Sequence, residues 1–402
     1  MEQKPYVLEQ FADFVVKTKY EDIPPRVIEK VKLQIMTSLS AMRFSEWHPE
    51  GYKIYEVEEK RANQNRTATV FPLNKKLPPE EAAIVNSAYA MSLDFDDYML
   101  LGHKSYSSVI TPLAFLEEQG GTLKDLITTC TVTNEIMGRT ALPCFFGPLN
   151  GQMTVFIHNI GAATAYGKVR GFDQKKMANA MALSLYEPNF AIIPGFYTEG
   201  CKLLTASIPV RGGIQAAQYA EQGVEGPLNM AEDRLGFFHF FSYSPVIEFT
   251  GDLGDVWLSD SLSYKRYPGT SYIAASVDSA LGALHQLNLS KVEDIDQIKK
   301  IVVDTTVFSK PIESLSQMQT VKALDAIRIN FSVRNSVAYA LLRGDLIPSD
   351  FKQEEIDKYQ DTLLKLREKI QVRLDLAMTI RILISFPRSE EHTSELQSPN
   401  TI

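Results

Sequence analysis

The chain has 402 residues, of which 45% are hydrophobic and 22% charged, and its formal net charge is −8. This length and composition predict a globular protein with enough apolar side chains for a large core and for two domains. The acidic balance, with Lys and Arg scattered along the chain, excludes the basic surface that a nucleic-acid-binding protein needs.

No segment has the composition of a signal peptide or a membrane span. Residues 1–20 carry Glu, Lys and Asp among their apolar residues, and no later apolar stretch approaches the length that crosses a bilayer. The three cysteines, Cys130, Cys144 and Cys201, are unevenly spaced and odd in number, which is typical of a reducing compartment. We therefore expect a cytoplasmic protein with no membrane partner and no disulfide framework.

Helical spacing of apolar residues characterises the first part of the sequence. It runs through residues 8–15 and again through 27–39, after two consecutive prolines. Runs rich in Ala and Gly at 161–167, 177–183 and 212–217 predict helix faces that pack closely. These patterns predict a large all-helical domain over residues 1–262.

After Trp257 the spacing of apolar residues is no longer only helical, and strand-like segments appear. Residues 298–303 are rich in β-branched side chains and residues 369–374 alternate between polar and apolar, and both patterns predict strands. Between them, residues 321–342 have helical spacing that ends at Arg343-Gly344, a strong stop signal. The fold class that we predict is α plus α/β, with a second, smaller α/β domain over 263–387.

The final residues, 388–402, differ from the rest of the sequence. They are polar and aperiodic, and they follow an apolar run at 380–386 that predicts another strand. Their sequence resembles the translation of a sequencing-library adapter, so we interpret them as a non-native tail and exclude His392 from any site. The alternative is a natural disordered tail.

An unusual acidic cluster follows a run of small residues. Asp94, Asp96 and Asp97 fall within what the spacing predicts to be one helical turn, and His103 follows shortly afterwards. The residues on both sides are apolar, which predicts burial, and buried carboxylates need cationic or hydrogen-bonding partners. The same residues offer oxygen and imidazole ligands, but their spacing fits neither a calcium loop nor a zinc motif, so we expect no metal.

Other signatures of common cofactors and nucleophiles are missing from the sequence. There is no phosphate-binding Gly-x-x-x-x-Gly-Lys motif, no dinucleotide fingerprint and no Gly-x-Ser-x-Gly hydrolase motif.

Three further residues are candidates for the site or the core. Lys202, ahead of the Gly-rich run, is either a ligand-binding cation or an exposed helix-start lysine. Lys265 and Arg266 lie at the predicted domain junction and belong either to a ligand cleft or to a charged hinge turn. His158 is expected to be a core histidine.

Taken in order, several of these segments resemble the MmgE/PrpD family, and the resemblance extends from about residue 8 to residue 384. The matching pieces are 93–97 with His103, 161–171, 202–217 and 265–268 with 277–278. The resemblance implies a large helical domain, a smaller α/β lid, a homodimer, no required cofactor and an active site in the cleft between the domains. It also implies that a final return of the chain to the helical domain is missing here.

The resemblance assigns site residues to this sequence. Asp94, His103, Lys202 and Lys265 match the family's catalytic positions. Residues expected to bind substrate are Lys202, Lys265, Gln152, Tyr98 and Arg266.

The chain departs from the family pattern at four of its positions. Gln152 and Ala274 stand where many members carry histidine, Asn335 falls near a tyrosine of the family's decarboxylase, and Tyr98 replaces a threonine. These departures remove groups that could transfer protons.

The retained residues favour a reaction on a small polycarboxylate. Lys202 and Lys265 are expected to hold carboxylates and stabilise charge on the neighbouring carbon, with His103 as general acid–base oriented by Asp94. Asp94 acting directly is the alternative, and Asp96 and Asp97 are expected to be structural. The resemblance implies a carbon–oxygen lyase of the 2-methylcitrate dehydratase type, which belongs to propionate metabolism. Alternatives are a decarboxylase or epimerase of a related acid and a non-catalytic carboxylate binder.

Overall fold

A computed structural model of the chain describes residues 5–99, 101–147, 155–197, 199–307, 309–317 and 323–385. These residues form two compact units, the first ending at Lys265 and the second beginning at Arg266. Most of them lie in helices, and the strands are short. The coarse expectation of a mainly helical protein with a little sheet is confirmed. In this part of the chain no helix is long and apolar enough to span a bilayer.

The first unit is built mainly from helices. These are α1 Val7–Lys17, α2 Pro25–Phe44, α3 Pro49–Arg61, α4 Pro79–Ser92, α5 Ser105–Ser108, α6 Ile110–Gln119, α7 Leu123–Ala141, α8 Ile157–Val169, α9 Gln174–Tyr186, α10 Ile193–Phe196, α11 Glu199–Glu221 and α12 Phe237–Phe241. The helices predicted at 8–15 and 27–39 correspond to α1 and α2, and the Ala/Gly-rich runs lie in α8, α9 and α11.

Two short antiparallel strand pairs accompany the helices of the first unit. Strand β1 Ala68–Val70 pairs with β2 Lys75–Leu77, and β3 Asp97–Tyr98 pairs with β4 Ser263–Tyr264. The prediction of an all-helical domain missed both pairs, because strands of two or three residues leave no readable alternation in a sequence.

Helix α4 is buried around its whole circumference. Every residue from Ala82 to Ser92 is buried, and a helix that is apolar on all faces must be surrounded by other elements. Helices α11, α6, α3 and α2 pack against it. The chain that leaves α4 therefore enters the protein interior, and the acidic cluster begins there.

Helices α8 and α11 approach each other closely at Gly213. A Cβ atom on this residue would lie 2.1 Å from the carbonyl oxygen of Asn159 and 2.8 Å from the Cβ of Ala162. Because no side chain fits in that space, the Gly-rich run of α11 allows the two backbones to touch. The predicted close packing of the small-residue faces is confirmed.

The second unit combines helices with one pair of strands. Its helices are α13 Ala274–Gln286, α14 Ser309–Gln317, α15 Ala326–Asn330, α16 Val333–Arg343, α17 Gln353–Asp357, α18 Gln360–Glu368 and α19 Leu376–Ser385. Strands β5 Ile301–Thr305 and β6 Ile370–Leu374 are parallel, with Ile301 opposite Ile370. The two strands predicted in these regions are confirmed.

The helix predicted over 321–342 is interrupted. Its first two residues lie outside the described part of the chain, and the remainder forms α15 and α16. The break falls at Ser332, whose side chain accepts a hydrogen bond from the backbone N–H of Asn335 at 3.2 Å and so caps α16. The predicted end is confirmed, since Gly344 has the left-handed φ of 78° that closes a helix.

The strand predicted at 380–386 is wrong for the residues that the structure describes. They belong to α19, where the Asp375 carboxylate accepts the backbone N–H of Met378 at 3.0 Å. This cap fixes a helix start immediately after β6, and the described residues of the predicted strand continue that helix in spite of their alternating isoleucines. Phe386 and the predicted tail 388–402 lie outside the described residues.

Candidate active site

The acidic cluster lies in a turn and not in a helix, so the predicted helical turn is wrong. Helix α4 ends at Ser92, and Asp94 has a φ of 50°, in the left-handed region. Aspartate tolerates this conformation better than most residues, and it stops the helix. Asp97 then begins β3, so the three carboxylates point in different directions from a short, irregular segment.

Burial of the acidic cluster is confirmed. Asp94, Asp96 and Asp97 are each at most 1% exposed. Removing three carboxylates from water carries a large free-energy cost unless cations or hydrogen-bond donors compensate them. The contacts described below provide this compensation.

Asp94 lies between two buried lysines. Lys202 Nζ donates to Asp94 Oδ1 at 2.8 Å, and Lys265 Nζ donates to Asp94 Oδ2 at 2.6 Å. Lys265 also donates to the backbone carbonyl of Asp94 at 2.8 Å. Both ammonium groups are inaccessible, with side chains 0% and 3% exposed. Of the two interpretations left open for Lys202, exposure at a helix start is therefore wrong.

The two lysines perturb the ionisation of Asp94, and Asp94 perturbs theirs. Burial alone would raise the pKa of Asp94, but Lys202, Lys265 and His103 together hold this pKa well below its usual range. Burial lowers the pKa of Lys202 despite the opposing charge of Asp94. The pKa of Lys265 is raised, because Asp94 and Asp96 together outweigh its burial. Asp94 and Lys265 are thus held as an ion pair.

Two different elements deliver the lysines. Lys202 lies in the first turn of α11, and its ammonium is 4.1 Å from the ring centroid of Phe196, a favourable cation–π distance. Lys265 directly follows β4, whose pairing with β3 sets Tyr264 opposite Asp97. The short β3–β4 ladder therefore brings Lys265 to the acidic turn.

His103 is held by Asp96. Its Nδ1 lies 2.9 Å from Asp96 Oδ2 and 3.0 Å from Oδ1, whereas its Nε2 is 3.8 Å from Asp94 Oδ1. The sequence predicts that Asp94 orients the imidazole and that Asp96 is structural. In the structure Asp96 contacts both the imidazole and Lys265, the latter at 3.3 Å.

A tight reversal returns His103 to the acidic turn. Met99 and Gly102 exchange two backbone hydrogen bonds, at 3.0 and 2.9 Å, and both Leu101 and Gly102 have positive φ. The imidazole stacks on the ring of Tyr106 with centroids 5.6 Å apart. The side chain of His103 is 12% exposed, which makes it the most accessible of the four predicted catalytic side chains.

Asp97 points to the opposite side of the turn. Its Oδ2 accepts a hydrogen bond from Gln34 Nε2 at 2.9 Å, and its Oδ1 accepts the backbone N–H of Ser105 at 3.3 Å. Burial, together with the charge of Asp96, raises the pKa of Asp97 to about 6. These bonds tie β3 to α2 and to the start of α5, which agrees with the structural role expected for this residue.

Lys104 is a buried lysine beside the site that the sequence motifs do not single out. This side chain is fully buried, and its Nζ has no hydrogen-bond partner among the described residues. Burial lowers the pKa of Lys104 to about 7, against the opposing charge of Asp97. Its position directly after His103, ahead of a run of hydroxyl and apolar residues, was the available signal. Apolar neighbours in the sequence predict burial of Lys104, as they do for Asp94.

His158 is the core histidine that the sequence predicts. It is buried in α8, and its Nδ1 lies 3.0 Å from the hydroxyl of Ser107. Burial, with the nearby charges of Lys104 and His103, lowers the pKa of His158 well below its usual value. The imidazole is therefore neutral at physiological pH.

Gln152 and Tyr98 are also predicted to bind substrate, and the structure describes only Tyr98. Gln152 lies outside the described residues. Tyr98 lies in β3 opposite Ser263 and is partly buried. It therefore belongs to the ladder that carries Lys265 to the site.

The remaining predicted positions belong to the second unit. Arg266 pairs with Asp278 at 3.2 Å, and its side chain is 72% exposed. Ala274 is the first residue of α13. Asn335 is buried in α16 and donates its side-chain N–H to the carbonyl of Arg328 at 2.7 Å, which gives it a local structural contact.

The donor atoms of Asp94, Asp96 and His103 lie within 4.8 Å of one another, a spacing that also occurs around metal ions. The ammonium of Lys265, however, already contacts both carboxylates, and that of Lys202 contacts Asp94. A divalent cation in their midst would be repelled by two buried positive charges. The donor set therefore fits carboxylates neutralised by lysine better than it fits a metal centre.

Comparison with known proteins identifies the family. Residues 9–250 match the MmgE/PrpD N-terminal domain. The chain belongs to the MmgE/PrpD family. The match includes Asp94, His103 and Lys202, and it confirms the resemblance that the sequence motifs indicated.

Similar curated proteins of the MmgE/PrpD family are cis-aconitate decarboxylases. The Homo sapiens protein is 27% identical over 316 residues, which cover 74% of this chain and 64% of the relative. The Aspergillus terreus protein is 23% identical over 300 residues, covering 68% and 61%. The Mus musculus protein is 25% identical over 279 residues, covering 65% and 55%. The chain thus spans less than two thirds of the length of each relative.

Proposed function

We propose that this chain is a lyase that acts on a small di- or tricarboxylic acid by developing charge on a carbon next to a carboxylate. The observation that carries the proposal is the placement of two buried ammonium groups, Lys202 and Lys265, around Asp94, beside an imidazole oriented by Asp96. Cations in a water-poor site stabilise an enolate-like charge far more strongly than they do in water.

Lys265 sets a condition on substrate binding. Its three ammonium N–H groups already have acceptors, namely the Asp94 carbonyl and carboxylate and, at 3.3 Å, Asp96. A substrate carboxylate that binds this lysine replaces the longest and weakest of the three contacts. Displacing Asp96 in this way leaves its carboxylate bound to His103.

His103 is the proposed general acid–base. When Nδ1 donates its proton to Asp96, Nε2 presents a lone pair on the side facing Asp94. The imidazole is also the most accessible part of the predicted catalytic set. These properties support proton transfer at His103 ahead of Asp94, whose low pKa makes it a weak base.

Decarboxylation is the first reaction to test, because the three relatives named above are cis-aconitate decarboxylases. The bond between the carboxyl carbon and its neighbour breaks and carbon dioxide leaves. The electron pair stays on the carbon skeleton, where the adjacent carboxylate, paired with lysine, accepts the charge. A proton from the His103 imidazolium then completes the product.

Dehydration of a hydroxylated acid, as in 2-methylcitrate, is the second candidate. His103 removes the proton next to a carboxylate, the electron pair forms the double bond, and hydroxide leaves as water after taking a proton. Lys202 supports this alternative, since burial lowers its pKa and makes its ammonium a better proton donor. The proposal retains a homodimer, a lid role for the second unit and independence from cofactors.

Incubation of the protein with cis-aconitate, 2-methylcitrate and a chiral dicarboxylate tests the proposal. Released carbon dioxide identifies a decarboxylase, new alkene absorbance a hydro-lyase, and loss of optical purity an epimerase. The Lys202→Ala variant serves as the control and should be silent in all three assays. If the unmodified protein is also silent but its melting temperature rises with these acids, the chain is a carboxylate binder and the lyase proposal is wrong.

A further inference from the structure

Glu135 is a buried carboxylate that the proposed reaction does not use. It lies in α7, is 1% exposed and pairs with the equally buried Arg139, one helical turn further on. Its Oε1 accepts both the backbone N–H and the hydroxyl of Ser259, at 2.8 and 2.7 Å, and its Oε2 accepts the backbone N–H of Leu258 at 2.9 Å. Hydrogen bonds to a buried anion are stronger than those between neutral groups, so Glu135 holds this part of the chain firmly against α7.

Arg139 holds the residues that come just before. Its guanidinium donates to the backbone carbonyls of Gly251 at 3.0 Å, Asp252 at 3.1 Å and Val256 at 2.7 Å. Because Arg139 is buried, water does not compete for these contacts. Together with its carboxylate partner, Arg139 fastens this irregular segment to α7.

The segment held in this way leads directly to Lys265. A 3₁₀ turn, Leu258–Ser261, connects it to β4, and Lys265 follows β4. Strand β4 pairs with β3 over two residues, and so short a ladder gives little support by itself. The position of Lys265 therefore depends on what holds the chain before β4.

The neighbouring residue of α7 holds the other strand of the ladder. Asn134 exchanges two hydrogen bonds with Gln34, at 2.8 and 3.1 Å, and Gln34 donates to Asp97 Oδ2 at 2.9 Å. Asp97 begins β3 at the end of the acidic turn. Asn134 and Glu135 thus tie both strands of the ladder to a single turn of α7.

A third residue of α7 lies against the same two parts of the chain. A Cβ atom on Gly138 would lie 2.7 Å from side-chain atoms of both Leu258 and Met99. Met99 opens the reversal that returns His103 to the site. Helix α7 therefore contacts the segment that carries His103 as well as the one that leads to Lys265.

We propose that Glu135 is a positioning residue that sets the ammonium of Lys265 against Asp94. The inference rests on the proposed function, in which Lys265 binds a substrate carboxylate. Glu135 acts through Ser259 and β4, so weakening its contacts releases Lys265 from Asp94. Lys202 lies on α11 and keeps its place.

Chemical labelling of lysines tests the proposal without substrate. Brief acetylation with acetic anhydride, followed by peptide mass spectrometry, measures how often each buried amine becomes accessible. Ser259→Ala deletes the hydroxyl contact to Glu135, so labelling of Lys265 should rise about three- to tenfold while that of Lys202 stays constant. An equal rise at both lysines shows general loosening of the fold and contradicts the proposal, as does no rise at Lys265.

Two variants provide matched controls. Thr69→Val deletes a similar hydroxyl contact, at 2.7 Å to Glu117 on α6, away from the site. Arg26→Met removes an exposed ion pair with Asp260, in the turn before β4. Labelling of Lys265 should stay at the level of the unmodified protein in both. A rise in either control as large as in Ser259→Ala would overturn the proposal.

Glu135→Gln tests the carboxylate itself. This variant weakens the contacts to Leu258 and Ser259 together and leaves Arg139 without its anion, so labelling of Lys265 should exceed that in Ser259→Ala. A smaller rise contradicts the proposal. Ser259→Ala decides the question if Glu135→Gln does not fold.

Kinetics separates this inference from the proposed function. A displaced Lys265 should raise KM for the best acid more than it lowers kcat, because the lysine binds the carboxylate before the reaction. Selective labelling of Lys265 in a protein without lyase activity refutes the proposed function alone. Normal activity with no selective labelling in Ser259→Ala refutes the role of Glu135 alone.

Discussion

Lys265 contacts Asp94 twice, through the carboxylate at 2.6 Å and through the backbone carbonyl at 2.8 Å. The first contact neutralises a buried charge. The second holds the backbone of a residue with positive φ, at the point where the chain leaves α4. One ammonium group therefore supports both the charge of the site and the turn that carries it.

Replacing Lys265 by Met should destabilise the fold as well as abolish turnover. The change leaves Asp94 with a single cation and frees its carbonyl, and breaking a buried ion pair costs about 3–5 kcal/mol. Urea unfolding measures the loss. Lys30→Met is the control, because Lys30 makes one long contact, at 3.3 Å to Leu262, and should lose less than about 1 kcal/mol. Equal losses in the two variants would contradict the dual role.

Replacing Lys202 by Ala should remove both binding and turnover. The variant loses a buried cation that the proposed substrate carboxylate needs, so affinity should fall at least about tenfold and kcat about 100-fold or more. Calorimetric titration with the best acid of the panel measures the affinity. Lys53→Ala changes an exposed lysine paired with Glu50 and should have no effect. Unchanged affinity in Lys202→Ala would refute the cation role.

The roles of Asp96 and Asp94 can be separated by kinetics. Asp96→Asn keeps the shape of the side chain but disturbs the imidazole, so kcat should fall about 10- to 100-fold while KM changes little. Asp94→Asn loses the charge that pairs with both lysines and should alter KM as well. Steady-state kinetics across pH 6–9 distinguishes the two patterns. The same change in KM for both variants would argue against a specific orienting role for Asp96.

Because Lys104 is buried, the stability of the fold should increase as pH rises above 7. Its pKa is about 7 in the folded protein and about 10.4 in an unfolded chain. Between these two pKa values the unfolded state binds more protons than the folded state does. The free energy of unfolding therefore rises with pH, by about 1.4 kcal/mol per pH unit. Lys104→Met lacks this gain.

Urea unfolding of both proteins at pH 7, 8 and 9 measures this effect. The stability of the unmodified protein relative to Lys104→Met should rise steadily across the series. A constant difference would show that Lys104 does not lose its proton in this range.

A pair of helical glycines tests the packing of α11. Gly213→Ala forces a methyl group into the carbonyl of Asn159 and should cost more than about 2 kcal/mol. Gly282→Ala, in α13, meets nothing within 4 Å and should stabilise the protein by about 0.5–1 kcal/mol. Chemical unfolding of both variants provides the comparison. Tolerance of Gly213→Ala would mean that α8 and α11 are not in backbone contact.

Some of this site could be predicted from the sequence. The apolar residues around Asp94 were sufficient to predict its burial, and the family motif identified His103. Lys202 was ambiguous, because spacing along a helix does not show which neighbour covers each face. Lys265 is 171 residues from Asp94, and the contact depends on a ladder of two residues per strand that no pattern reveals.

The contributions of Asp96 and Lys104 could not be predicted for a different reason. Both depend on the reversal at Leu101 and Gly102, where positive φ values turn the chain back on itself. Leucine rarely adopts such a conformation, so the local sequence gives no indication of it. A straight continuation of the chain would have carried His103 away from Asp96.

The contact between Gly213 and Asn159 also has a consequence for the proposed function. Lys202 and Gly213 belong to the same helix, α11, whose backbone contacts that of α8 at Gly213. The buried salt bridge with Asp94 holds the ammonium of Lys202 inside the protein at the start of this helix. If the proposed function is right, we expect acids to be distinguished by the distance between their carboxylates, so that a chain one methylene longer or shorter binds more weakly.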